Sequence, residues 1–464
     1  MIKKILPLAI VPLAMACNNN SNEKAKDGDS SSAVTFVTLD PGHFHAALVQ
    51  KTALPGVDSN VYVYAPEGED LQLHLKRIEG FNTRAEDPTH WNEQVYTGPD
   101  FFQKMIDEKK GNVVVMAGNN QKKTEYIFKT VDAGMNVLAD KPMAINTEGF
   151  ELLKQAFAKA KEKNVLLYDI MTERFEINTM LQKEFSQLKN VFGELEKGTP
   201  ENPAVTKESV HYFYKFVSGS VLQRPSWFMD VSQQGEGIVD VTTHLVDLVQ
   251  WECFPGQTLD YTKDVELVSA RRWPTNMTLS QFSAITKQNA FPDYFKNDIT
   301  NDSILNVYSN GEIHYKLRGV HAKVSVTWGY KAPEGTGDTH HSLMRGTRAN
   351  LIIKQGKEEN YKPVLYIEPV KKDDAAFDKD LTAALTTIQS KYPGVEIKKT
   401  SKGWQTVIPE KYNTGHEAHF GQVTEAYLQY LKEGKLPDWE IPNMITKYYI
   451  TTSALDLAKK SAKK

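Results

Sequence analysis

From Val34 onward the chain alternates short apolar, β-branched runs with stretches of helical periodicity, and this alternation constrains its fold more than any other feature. Val34–Leu39 reads as a buried strand that runs into the turn Asp40-Pro41-Gly42 and a helix from about His45 to Thr52. Val61–Tyr64 and Asn112–Met116 are further strands, the latter followed by a helix over Lys122–Ala133. Then come the strand Asn136–Ala139, the helix Thr147–Lys163 and the strand Val165–Tyr168. Strands separated by helices cannot pair as hairpins, so the pattern predicts an α/β fold with a doubly wound parallel sheet. Ligands of such sheets gather outside the carboxyl ends of the strands, where Asp40–Gly42, Gly118-Asn119 and Asp140-Lys141 all fall.

Beyond about Asp169 the texture changes. Val210–Phe216, Ser303–Tyr308 and Lys323–Trp328 are rich in aromatic and β-branched residues, as antiparallel strands are. A second, α+β domain with a large, mostly antiparallel open sheet is therefore predicted over 170–464, after a parallel-sheet domain over 33–169. Residues 355–412, with a charged helix over Asp373–Lys391, read as an insertion in the second domain, either a lid or a surface elaboration. Asn443–Lys460 reads as a terminal amphipathic helix.

The first residues bear on location. Met1-Ile-Lys-Lys4 is basic, Ile5–Ala16 is apolar but too short to span a bilayer, and Ala14-Met-Ala-Cys17 is a small-residue cleavage site ending in cysteine. Residues 1–17 thus read as a lipoprotein signal with Cys17 as the lipidated residue, and 18–32 as a polar, flexible tether. The expectation is an exported lipoprotein of the cell envelope, facing the periplasm or held at the outer membrane, that meets the membrane through its lipid anchor only. With Cys17 so used, Cys253 is left alone, which excludes disulfides and a cysteine metal cage. A net charge of -3 leaves no basic excess for a nucleic-acid partner.

Chemistry concentrates in Gly235-Glu-Gly-Ile-Val-Asp240-Val-Thr-Thr-His244-Leu-Val-Asp247. On a helix, a spacing of four stacks Asp240 and His244 on one face as an acid/base pair. The alternative is that Asp240 merely caps a helix Val241–Trp251. His340-His341 and His416-Glu-Ala-His419 could offer imidazoles to a metal, but their spacing is not that of a zinc protease, and no metal site is assigned to them. His341 is read instead as reaching substrate hydroxyls.

Ala133-Gly-Met-Asn-Val-Leu-Ala-Asp-Lys-Pro142, then Trp227, then Gly235–Asp247, then Arg345-Gly-Thr-Arg-Ala-Asn-Leu351 occur in an order that resembles the Gfo/Idh/MocA oxidoreductases, the relatives of glucose-fructose oxidoreductase and inositol dehydrogenase. The resemblance implies a Rossmann-type domain that binds a nicotinamide dinucleotide, followed by a substrate-binding domain, the α+β sheet domain described above. It assigns Lys141, Asp240 and His244 as catalytic and substrate-binding residues: Lys141 acidifies a hydroxyl, His244 takes its proton and Asp240 orients or shares it. It assigns the cofactor to the turn Asp40, Gly42, His43, Phe44 and His45, together with Asn119, Lys141, Arg224 and Trp227. Only Gly42 keeps a glycine slot of the dinucleotide turn; Asp40 and His45 occupy the others, Asp40 brings negative charge toward a pyrophosphate, and His43 and His45 are read as offsetting donors. The acidic run Glu67-Gly-Glu-Asp70 after the second strand leans to NAD over NADP. An exported protein meets little free nucleotide, so NAD should be held tightly and recycled.

The expected substrate is a sugar or glycoside oxidised at a ring hydroxyl, possible at C3, with Tyr212, Tyr214, Trp328 and Tyr330 available for stacking on a sugar face. Two alternatives stay open: an NAD-dependent glycosidase working by transient oxidation at C3, and a non-catalytic tethered sugar-binding protein. Relatives often pair through the open face of the second sheet, which implies a homo-oligomer.

Overall fold

The computed structural model describes residues 34–217, 220–301, 303–372, 374 and 376–462. The lipoprotein signal, Cys17 and the tether lie outside the described residues. Strands β1 (Phe36–Leu39), β2 (Asn60–Tyr64), β3 (Asn92–Tyr96), β4 (Val113–Met116), β5 (Asn136–Asp140) and β6 (Leu167–Ile170) form one parallel sheet in the order β3-β2-β1-β4-β5-β6. The chain winds outward from β1 to β3, then crosses back to β4 and winds the other way. This reversal leaves a crevice between the carboxyl ends of β1 and β4. Every residue of β1, β4 and β6 is buried, because helices cover both faces of the sheet. The edge strand β3, Asn-Glu-Gln-Val-Tyr, carries no such apolar signature and is not evident in the sequence.

The second sheet contains β7 (Val205–Tyr214), β10 (Val265–Thr278), β12 (Ile304–Leu317), β13 (Val320–Lys331), β14 (Thr339–Arg345), β15 (Ala349–Lys354), β16 (Val364–Pro369), β17 (Glu396–Lys399) and β18 (Trp404–Val407). A short hairpin, β8 (Phe216–Val217) and β9 (Ser220–Val221), and the two-residue β11 (Ile299–Thr300) complete the set. Its order is β10-β12-β13-β7-β14-β15-β16-β18-β17, antiparallel throughout except where β13 runs parallel to β7. In β13 the residues Ala322, Val324 and Val326 alternate inward, the two-residue period of a sheet with one covered face. The region 355–412 supplies β16, β17 and β18, which extend the sheet, and the helix Phe377–Lys391 buries Phe377, Leu381 and Ile388 against it.

The helix Thr242–Cys253 is buried along almost its whole length, packed against β7, β13 and the terminal helix Glu440–Ser461. Charged side chains fix it in place. Asp247 accepts two hydrogen bonds from Arg174, at 2.6 and 2.7 Å, and one from Lys447 at 2.8 Å. Lys447 also pairs with Asp169 on β6 at 2.8 Å, and Arg174 donates to Glu440 at 2.7 Å. Near the other end, Glu252 accepts from the fully buried Lys207 of β7 at 2.6 Å. Paired burial of this kind sets one geometry, since removing either partner strands a charge away from water.

Candidate active site

A cavity of about 350 Å³ lies between the carboxyl edge of the parallel sheet and the second sheet. Lys141, just past β5, enters it from one side; Asp240 and His244 enter from the start of the buried helix. Lys141 Nζ donates to Asp240 Oδ1 at 2.6 Å across 99 residues of sequence, and Gln234 Nε2 donates to Asp240 Oδ2 at 3.2 Å. Asp240 lies in the turn before the helix and its carboxylate does not cap it, so the capping alternative is excluded. His244 is buried, and its Nδ1 has no hydrogen-bond partner among the described residues. Burial, then the Lys141 charge, pulls its pKa down to about 4. At neutral pH it is an uncharged imidazole with a free nitrogen, able to accept a proton.

Other walls come from distant elements. Trp328 forms one, with the His211 ring stacked on it at 5.0 Å. Asp338 accepts from Lys215 at 2.7 Å and contacts His211 Nδ1 at 3.0 Å. Glu173 lies 3.3 Å from His416 Nδ1. Glu173, His211 and Asp338 escape the sequence reading. Glu173 does carry a signal, since it follows β6 at the same carboxyl edge as Lys141. His340 lines the cavity, whereas His341, its expected substrate-facing neighbour, lies outside it with Nδ1 3.6 Å from Glu208. Of the aromatic residues considered for stacking, Trp328 lines this cavity and Tyr214 lines an adjoining one.

The expected cofactor residues divide between two places. His43, Phe44, His45, Lys141 and Arg224 line the cavity, while Asp40 and Trp227 line the neighbouring crevice with Glu67, Glu69 and Asp70. Asn119 lines neither; it donates to Gln233 at 2.7 Å, and Asn120 takes the place beside the cavity. The crevice fits a dinucleotide in its backbone. A Cβ on Gly42 would stand 2.9 Å from both Asp70 Oδ2 and Trp227 Cζ2, and one on Gly118 would run into the Asp40 carbonyl at 2.1 Å. Both loops therefore need glycine to come so close. Among the described residues, the Gly42 and Phe44 amides have no hydrogen-bond partner and remain able to bind an anion. Burial, then the Asp70 charge, lifts the Asp40 pKa to about 6. The offset expected from the histidines takes another form: His45 Nδ1 lies 2.9 Å from Asp140, and burial first of all holds both imidazoles well below their ordinary pKa.

Comparison with known proteins agrees with this architecture. Residues 181–459 match the family described as "Putative oxidoreductase C terminal domain", and residues 74–168 match "Oxidoreductase family, NAD-binding Rossmann fold". A crystal structure of a "putative oxidoreductase" from Parabacteroides merdae is 61% identical, with a TM-score of 0.90, over 92% of this chain and 98% of that one. Levoglucosan dehydrogenase in complex with NADH and levoglucosan shares the fold at 13% identity and a TM-score of 0.57, over 92% and 97% of the two chains. Biliverdin reductase from Synechocystis, in complex with biliverdin and NADP+, does so at 12% identity and a TM-score of 0.55, over 92% and 100%. No curated protein matches the sequence. A parallel sheet with a glycine-lined crevice, a second sheet closing its mouth, and these matches across both domains show that the chain is an enzyme of the Gfo/Idh/MocA oxidoreductase family, built on an NAD(P)-binding Rossmann fold.

Proposed function

We propose that the enzyme oxidises a ring hydroxyl of a sugar or glycoside, at C3 in the favoured case, using a tightly held NAD. The observation that carries this reading is the meeting of Lys141, Asp240 and the unpartnered His244 in one cavity. Bound NAD supplies a hydride acceptor, and Gly42, Phe44 and the acidic residues after β2 are the groups that would hold it. Lys141 donates to the substrate hydroxyl and favours its ionised form. His244 accepts the hydroxyl proton on a ring nitrogen. Asp240 holds the ammonium in position and, with Gln234, keeps its own carboxylate fixed. Trp328 offers a flat apolar wall against which a sugar face can stack. The carboxylates of Glu67, Glu69 and Asp70 favour the free ribose of NAD over the 2′-phosphate of NADP. That a relative in fold is a levoglucosan dehydrogenase supports a sugar substrate.

The first test is to denature the purified protein and identify the released nucleotide by mass and absorbance. Stoichiometric NAD(H) is expected. An empty protein that also fails to bind added NAD or NADP would overturn the redox reading and favour a binding protein. If a glycoside releases its aglycone with no net NADH, the chemistry is that of the redox glycosidase. In this proposal the enzyme is exported and tethered through Cys17. Loss of membrane association in a C17A variant checks the anchor, and light scattering checks the homo-oligomer.

A further inference from the structure

We propose that the floor of the cavity is a binding site for a divalent transition-metal ion of the Zn2+ type, formed by His43, His45 and Asp140. One ring nitrogen from each histidine and one carboxylate oxygen lie within 4.8 Å of one another. His45 Nδ1 is 2.9 Å and His43 Nδ1 3.9 Å from Asp140 Oδ2. Ligands about 2.1 Å from a tetrahedral ion stand roughly 3.4 Å apart, so these separations bracket what an ion needs. An ion would take the place of the proton between His45 and Asp140 and draw in the His43 ring, whose Nδ1 now accepts weakly from the His45 main-chain N–H at 3.4 Å.

Three features distinguish this cluster from an ordinary hydrogen-bonded pair. The first is charge. Asp140 is buried, and among the described residues its carboxylate has only the two imidazoles as ion-pair partners. Lys141, next in sequence, is committed to Asp240, and Lys123 donates to the Asp140 main-chain carbonyl instead. The buried Lys123 ammonium lies nearby, but no lysine or arginine is hydrogen-bonded to the Asp140 carboxylate among the described residues, which leaves it open to a divalent ion. The second feature is rigidity. His43 and His45 follow β1 and Asp140 ends β5; β4 lies between these strands, and just past it the Ala117 carbonyl accepts from His43 N–H at 3.1 Å. The His45 ring packs on Phe420 at 4.5 Å and the His43 ring stacks on Phe228 at 6.0 Å, so neither is free to swing away. The third is access. All three residues line the same cavity as Lys141 and His244, so a fourth coordination position would face the substrate space. Three protein ligands with an open position are the arrangement of a metal that acts on substrate, where it polarises a bound oxygen as a Lewis acid. Two imidazoles and a carboxylate, with no thiolate, suit Zn2+, Co2+, Ni2+ or Fe2+ rather than a soft ion.

The test uses untagged full-chain protein, stripped with a chelator and titrated with Zn2+ by calorimetry and with Co2+ by visible spectroscopy. We expect one equivalent of either ion, and a Co2+ spectrum of low coordination number. H43A and H45A should each weaken binding by roughly a hundredfold. H341A, which alters an imidazole outside the cavity, should bind as the parent does. Melting curves without metal show whether each variant is folded; if H45A is not, the decision falls to H43Q, whose ring is the more accessible of the two. The proposal is overturned if the parent takes up no stoichiometric ion, or if uptake persists unchanged in the folded histidine variants. Nucleotide content is measured separately, so this result and the redox reading stand or fall independently.

Discussion

At the scale of single residues, the proposed mechanism gives Lys141, Asp240 and His244 separable roles. H244A and K141M should each lower turnover by about 10²- to 10⁴-fold, the range of a lost general acid or base, while melting temperature and bound nucleotide hold. Additive losses in the double mutant would mark the roles as separable; a double mutant no worse than either single variant would sink that view. The pH profile of oxidation follows from His244. Its pKa is lowered to about 4, so the accepting neutral form predominates above that value, and kcat/KM should fall as pH drops through about 4. A profile that breaks near 6.5 and loses that break in H244A would show an exposed, unperturbed imidazole instead. Asp240 and His244 were legible as a pair because their spacing of four is local, whereas Lys141, 99 residues from Asp240, entered only through the family resemblance. The His43–His45–Asp140 cluster was not legible, since it forms only when the β1 turn meets the end of β5. His341 shows a finer limit: successive strand residues face opposite ways, so a reading one residue off selects His341 where His340 faces the cavity.

At the scale of elements, periodicity located most helices and strands. The helix Thr147–Lys163 lies where its pattern put it, whereas β6 is shifted two residues from the apolar run Val165–Tyr168 because pairing with β5 sets its register. Asp247, part of the motif that carries the resemblance, is an anchor and does not line the cavity. D247N should cost roughly 3–5 kcal/mol by leaving Arg174 and Lys447 without their shared partner, read as a drop in denaturation midpoint. Burial opposes the charge of Asp247, but Arg174 and then Lys447 hold its pKa well below the ordinary carboxylate value. A depressed folded pKa adds stability that is present above the unfolded value near 4 and is lost as pH falls below it. The parent should therefore lose stability on acidification below about 4, and D247N should lose less over the same window. Parallel acid curves would refute this assignment.

For the whole molecule, the two sheets meet along borders of very different strength. On one border Arg174, Asp169, Asp247, Glu440 and Lys447 interlock away from water. On the other, the indole of Trp227 donates to Asp70 at 2.7 Å and Gln223 donates to Glu69 at 2.6 Å across the crevice. Breaking the buried ionic border strands charges away from water, whereas the hydrogen bonds of the crevice can exchange with water, so the second border is the one that can act as a latch. The ionic border is the spine of the two sheets and the Trp227 border their fore-edge. Trp227 packs against Gly42, so a nucleotide laid along that turn has the indole beside it. The parent should therefore release its nucleotide slowly, and W227F, with no indole N–H to close the latch, should exchange nucleotide faster than the parent.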